Sequence, residues 1–186
     1  MKKGFTLIEL LIVIGILAIL ATATILVLNP AQLFAQARDS QRISDMAALK
    51  SALSFYLATA GTLDLDVAGT CGTNFWASAA SSAEDFAGTP IQHANTGLAV
   101  DGTGWVAANL TLASGGSPLS ALPRDPSNVS PNTYRYQCDN TNRWFELNAD
   151  MESTRYASGG TNDVEGTDGG SVATIYEVGN DPGLDL

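Results

Sequence analysis

The chain has 186 residues, with 9 Lys and Arg against 19 Asp and Glu and a formal net charge of -10. That length accommodates one membrane-embedded or fibrous element plus one small soluble domain and excludes two large cores. Basic residues are few and scattered, which excludes a phosphate-binding nucleic-acid surface. Charge is divided along the chain: Lys2 and Lys3 stand together at the start, and most carboxylates lie from Asp64 onward, so two environments are expected.

The first element is the apolar run from Phe5 to Leu28. As a helix rising about 1.5 Å per residue it crosses a hydrocarbon core of roughly 30 Å. Lys2 and Lys3 precede it and no basic residue follows until Arg38, so the positive-inside rule puts the N-terminus in the cytoplasm and everything after Leu28 outside. A secretory signal peptide is the competing reading, with Ala21-Thr22-Ala23 as its cleavage site. Two features weigh against it: the run continues past that site, and it carries a carboxylate, Glu9. An acidic side chain at mid-membrane costs about 2.5–3.5 kcal/mol, so Glu9 is expected to have a partner.

Lys2-Lys3-Gly4-Phe5-Thr6-Leu7-Ile8-Glu9-Leu10-Leu11-Ile12-Val13 resembles the prepilin signal of type IV pilins and type II secretion pseudopilins. The resemblance implies cleavage between Gly4 and Phe5 by a prepilin peptidase, N-methylation of Phe5, and retention of the apolar helix in the mature subunit. It further implies that Glu9 neutralises the N-terminal amine of a neighbouring subunit, and that a cytoplasmic ATPase and an inner-membrane platform protein drive self-assembly into a helical filament. Residues 1–4 then form the leader, 5–28 the transmembrane and filament-core helix, 29–58 its amphipathic continuation, and 59–186 an exported head. The alternative function is a single-pass membrane-anchored binding protein that does not polymerise.

Beyond Leu28, apolar residues recur at Leu33, Ala37, Ile43, Ala47, Leu53 and Leu57, largely at helical spacings. Arg38, Asp39, Gln41, Arg42, Asp45 and Lys50 fill much of the rest, as expected where an amphipathic half-helix packs on a small globular head. Asn29-Pro30 and Gly15 mark places where the helix kinks or unwinds. After Thr59-Ala60-Gly61 the composition turns to Gly, Ser, Thr, Asn and Asp, and the helical pattern ends. In the head, a short helix is expected over Ser78 to Phe86 and a strand over Trp105 to Leu112. Tyr134–Cys138 and Trp144–Ala149 alternate about the turn Asp139-Asn140-Thr141-Asn142 and predict an antiparallel hairpin. A further strand is expected within Val172 to Val178. The fold class is α+β: a long N-terminal helix packed on a small antiparallel sheet.

Leu122-Pro123-Arg124-Asp125-Pro126 and Tyr134-Arg135-Tyr136 are similar to a stretch of major pseudopilins, which usually continue with Trp-Gly where this chain has Ser127-Asn128. Cys71 and Cys138 lack zinc-type spacing; export favours a disulfide between them over two unpaired thiols. The segment from Gly159 to Gly170 combines carboxylates and glycines like an oxygen-rich calcium loop, and major pseudopilins hold calcium in a loop near the C-terminus. Asp163, Glu165 and Asp168 are therefore its candidate ligands, against the alternative of a solvated acidic loop. No cofactor is required. His93 is the lone histidine, and there is no G-x-S-x-G, H-E-x-x-H or nucleotide-binding glycine pattern to support an enzyme. Asn109-Leu110-Thr111 and Asn128-Val129-Ser130 fit glycosylation triplets.

Overall fold

The computed structural model describes residues 4–67, 69–80, 86, 90–93 and 96–186, with only the backbone of Leu26. Two helices lead into a five-stranded sheet, an α+β arrangement. Helix α1 spans Leu7–Leu28 and α2 spans Pro30–Thr59. Strands β1 (Asn74–Ala77), β2 (Ile91–Gln92), β3 (Arg135–Asp139), β4 (Trp144–Ala149) and β5 (Tyr176–Gly179) lie in the order β2-β1-β3-β4-β5. All neighbours are antiparallel except β1 and β2, so the sheet is mixed rather than wholly antiparallel.

The hairpin forms where alternation predicts it, with Tyr136 opposite Leu147 and Cys138 opposite Phe145. These residues share one face of the sheet, which packs on α2 through Met46, Leu49, Leu53 and Tyr56 to form the core. Two expected elements differ. The segment from Trp105 to Leu112 is no strand; it buries Trp105 to Ala108 in a loop and ends in a 3-10 turn at Leu110–Leu112. Asn109 Oδ1 accepts from Thr111 N at 3.1 Å, a local bond that competes with a sheet ladder. Within Val172 to Val178 only the end is extended, because Ile175 N closes a turn on Val172 O. The helix expected over Ser78 to Phe86 falls largely on residues outside those described; Ser78 itself donates to Tyr134 O as the chain leaves β1.

The faces of α2 do not divide simply into apolar inside and polar outside. Asp39 and Arg42 are fully buried, whereas Leu33, Ala37 and Ala47 are exposed. Arg42 donates to Asp39 Oδ1 at 2.7 Å and, with a two-pronged grip, to Asp125 at 2.6 and 2.9 Å. It also pairs with Glu152, which Arg38 clamps from the other side. Asp39 in turn accepts from the N–H groups of Glu152 and Ser153. Burial of this charge is sustained because its partners are in place; removing one side of such a pair costs about 3–5 kcal/mol. Asp45 accepts from the Tyr134 hydroxyl at 2.7 Å one turn further on. The cluster fixes the head, through Asp125 and Glu152, against the first half of α2, and the Cys71–Cys138 disulfide, Cα–Cα 5.0 Å, ties the loop after α2 to β3.

The outer face of the sheet is buried too, and it is polar: Gln137, Glu146, Asn148 and Glu177 are each at most 3% exposed. Burial, reinforced by the nearby Glu177 and Asp181 charges, pushes the Glu146 carboxyl up to about 8. Glu152 goes the other way: bonds from Arg38, then Arg42 and Ser127, hold it at about 2. A raised carboxyl contributes stability that is complete below its ordinary value and is lost as pH climbs through the folded value; a depressed one contributes above its ordinary value and is lost as pH falls. The two limbs meet in mild acid. Thermal unfolding should therefore show its highest midpoint near about pH 5, declining towards pH 8. Glu146→Gln should flatten that alkaline limb, and a limb unchanged in the variant would show that Glu146 does not generate it.

Candidate functional site

The N-terminal segment is built on a helix start. Thr6 is the N-cap of α1 and forms a capping box with Glu9: Thr6 N and Thr6 Oγ1 each donate to Glu9 Oε2 at 2.8 Å, and Glu9 N donates back to Thr6 Oγ1 at 3.3 Å. The carboxylate is thereby turned towards the first turn's unpaired N–H groups, where negative charge is favoured. Thr-x-x-Glu in the sequence is the local signal for this box, and it gives Thr6 a role beside that expected of Glu9.

Every described side chain of α1 is exposed, including Leu7 and Ile8, and so is Phe5 ahead of it. The helical path from Leu7 to Thr59 contains a segment long and apolar enough to cross a membrane. Its hydroxyls do not oppose that environment. Thr22 Oγ1 donates to Ala18 and Ile19 carbonyls and Thr24 Oγ1 to Leu20 O, so these polar groups are satisfied within the helix.

Of the two expected kinks, Gly15 shows none: it lies inside uninterrupted α1, because a glycine keeps its backbone N–H and need not break the ladder. The interruption is at Asn29, with φ 38° and ψ 75°. Proline disfavours right-handed helix in the residue before it, and Asn is among the few side chains that tolerate the left-handed region. Pro30 then opens α2, where its missing N–H removes no bond. Asn29 N still reaches Ile25 O at 3.2 Å, while Gln32 N and Leu33 N turn to Asn29 O. The chain passes from one helix to the next through a single non-helical residue.

Asp163, Glu165 and Asp168 are not brought together. Asp163 accepts from Gly159 N and Gly166 N, Glu165 from Met151 N and Ser158 N, and Asp168 from Gly170 N and Glu177 N, all at 2.6–2.9 Å. Each oxygen of the three thus holds a different backbone N–H, five in loops and that of Glu177 in β5, and among the described residues no group of three His, Cys, Asp or Glu side chains could hold a metal ion. The expected calcium ligand set does not fit this arrangement. His93 stacks on Trp76 with ring centroids 5.5 Å apart, a packing position. Asn109 caps the 3-10 turn, and Asn128 Oδ1 accepts from Ser78 Oγ at 2.7 Å, so both glycosylation-triplet asparagines have structural partners.

Residues 1–25 match the family model of the prokaryotic N-terminal methylation motif. This is the prepilin-type signal of type IV pilins and pseudopilins. No curated protein and no solved structure matches the chain.

Because Glu165 is 4% exposed and bridges two backbone segments, Glu165→Gln leaves one N–H without an acceptor. The variant should lose about 1–3 kcal/mol in chemical denaturation, while calcium added to the wild type should leave its midpoint in place. A calcium-dependent rise in that midpoint would contradict the backbone-holding role given to these carboxylates.

Proposed function

We propose that this chain is the precursor of a structural subunit of a type IV pilus-like or type II secretion-like filament, a pilin or pseudopilin. The observation that carries the reading is the methylation motif placed on a helix that is uncovered along its described length and apolar apart from Glu9 and two threonines. In this account a prepilin peptidase cleaves between Gly4 and Phe5. Gly4 has open space around its α-carbon, so no side chain obstructs the scissile bond. The new Phe5 amine is methylated, and α1 stays in the mature subunit.

Before assembly the chain crosses the membrane once with its N-terminus in the cytoplasm and the head outside. An assembly ATPase and a membrane platform supply the work of extraction. Within lipid the hydrophobic effect gives no drive for helix association, so dispersion packing and polar pairs select the contacts. Glu9 supplies the polar pair: trimming creates a cation adjacent to Thr6, whose N–H the carboxylate already accepts, and the same carboxylate is placed to receive a neighbour's amine. The single-residue break at Asn29-Pro30 allows α1 to adjust against neighbours while α2 remains fastened to the head.

Glu9→Ala tests the role of the carboxylate. Losing one partner of a sequestered ion pair costs about 3–5 kcal/mol, so filament yield should fall at least about tenfold while membrane insertion and head folding are retained. Wild-type filament yield from the variant would refute the register role.

A further inference from the structure

The end of α2 farthest from α1 carries an open pocket of about 550 Å³, between the loop that follows α2 and the turn of the β3–β4 hairpin. This volume falls within the roughly 300–1,000 Å³ of small-molecule sites. Its walls include Thr62, Leu63, Asp64, Val67, Thr141 and Arg143. The loop has no regular secondary structure, yet it is fixed in place. Asn140 Oδ1 accepts from Leu65 N at 2.8 Å and Asn140 Nδ2 donates to Asp64 Oδ1 at 2.9 Å. Arg143 donates to Leu63 O at 2.6 Å, and the Tyr56 and Tyr136 hydroxyls donate to Asp64 O and Leu65 O, each at 2.8 Å. The Cys71–Cys138 disulfide closes the same region. With Leu63 to Leu65 already fastened, less of the wall has to be ordered on binding.

Arg143 is itself unusual. It adopts φ 64°, a conformation that glycine or asparagine takes at less cost, and it presents an exposed guanidinium at the pocket wall. Local strain of this kind points towards function when the residue also faces a cavity. The chemistry of the wall is mixed. Arg143 and the threonine hydroxyls donate, Asp64 and the same hydroxyls accept, and Leu63 and Val67 offer an apolar patch. One cation set among carboxylates does not attract a phosphate or another anion. Paired donors and acceptors match vicinal hydroxyl groups, each of which both donates and accepts.

We propose that this pocket binds a neutral, hydroxyl-rich ligand, a hexose unit of a glycan. Its position supports access from outside: α2 rises about 45 Å from Pro30 to Thr59, and the pocket lies beyond the end of α2 that is remote from α1.

The test uses the full-length chain, ¹⁵N-labelled, in dodecylphosphocholine micelles, a detergent without sugar, titrated separately with D-galactose, D-glucose and N-acetyl-D-glucosamine. At least one should produce saturable shifts of the Leu63, Val67 and Arg143 amide signals in the millimolar range. Arg143→Gly relieves the positive φ and is expected to fold, and Thr141→Val removes one hydroxyl from an exposed turn. The first should weaken binding at least about tenfold, the loss of a charge-assisted hydrogen bond, and the second should weaken it measurably, with resonances outside the pocket unchanged. Absence of saturable shifts with all three sugars, or wild-type affinity in either variant, would overturn the proposal. Because the micellar chain is monitored directly, the outcome does not depend on polymerisation.

Discussion

One helical path has to satisfy two solvents, and the rest of the molecule follows from how it does so. Over its first 22 residues, Leu7–Leu28, it presents an almost wholly apolar surface, broken by Glu9 and two threonines, and its described side chains receive no cover from the head. Such a surface is stable only in lipid or against other helices. Over the next 30, Pro30–Thr59, the same path becomes one layer of a two-layer domain, with Met46, Leu49, Leu53 and Tyr56 inside. Asn29 is the only residue between them outside helical conformation. The described residues of the head leave α1 uncovered.

The second half of the path is held to the head at both ends. Near Pro30 the fastening is ionic: Arg42 and Arg38 against Asp39, Asp125 and Glu152, with Gln32 Oε1 accepting from Thr154 N. Near Thr59 it is covalent and aromatic, through the Cys71–Cys138 disulfide and the tyrosine hydroxyls that hold the loop at Asp64 and Leu65. A load applied through α1 enters the head at the ionic end. Guanidinium–carboxylate pairs with their geometry fixed on several sides suit that position, because they resist sliding as well as separation.

The elements readable in the sequence are those whose determinants are local. Twofold alternation specified the β3–β4 hairpin, and the length and apolarity of Phe5 to Leu28 specified α1. The N-terminal motif specified the class of signal. What could not be read required contacts between distant segments. Asp39 and Arg42 look like solvated residues on a helical wheel, and only Asp125 and Glu152, about 80 to 110 residues further on, make their burial affordable. Strands β1 and β2 are short, and their parallel pairing depends on a crossover that no local pattern announces. The carboxylates of the Gly-rich segment have calcium-loop composition, but composition does not fix direction, and their oxygens turn to backbone N–H groups instead.

In the proposed function α1 is kept in a trimmed, assembling subunit rather than discarded as a signal or left as a plain anchor. Intact mass spectrometry of the protein recovered from the membrane and surface fractions of its own host addresses it most directly. The account predicts a chain that has lost Met1 to Gly4, gained one methyl group and kept everything from Phe5 onward. A full-length chain, or one beginning after Ala23, would contradict it.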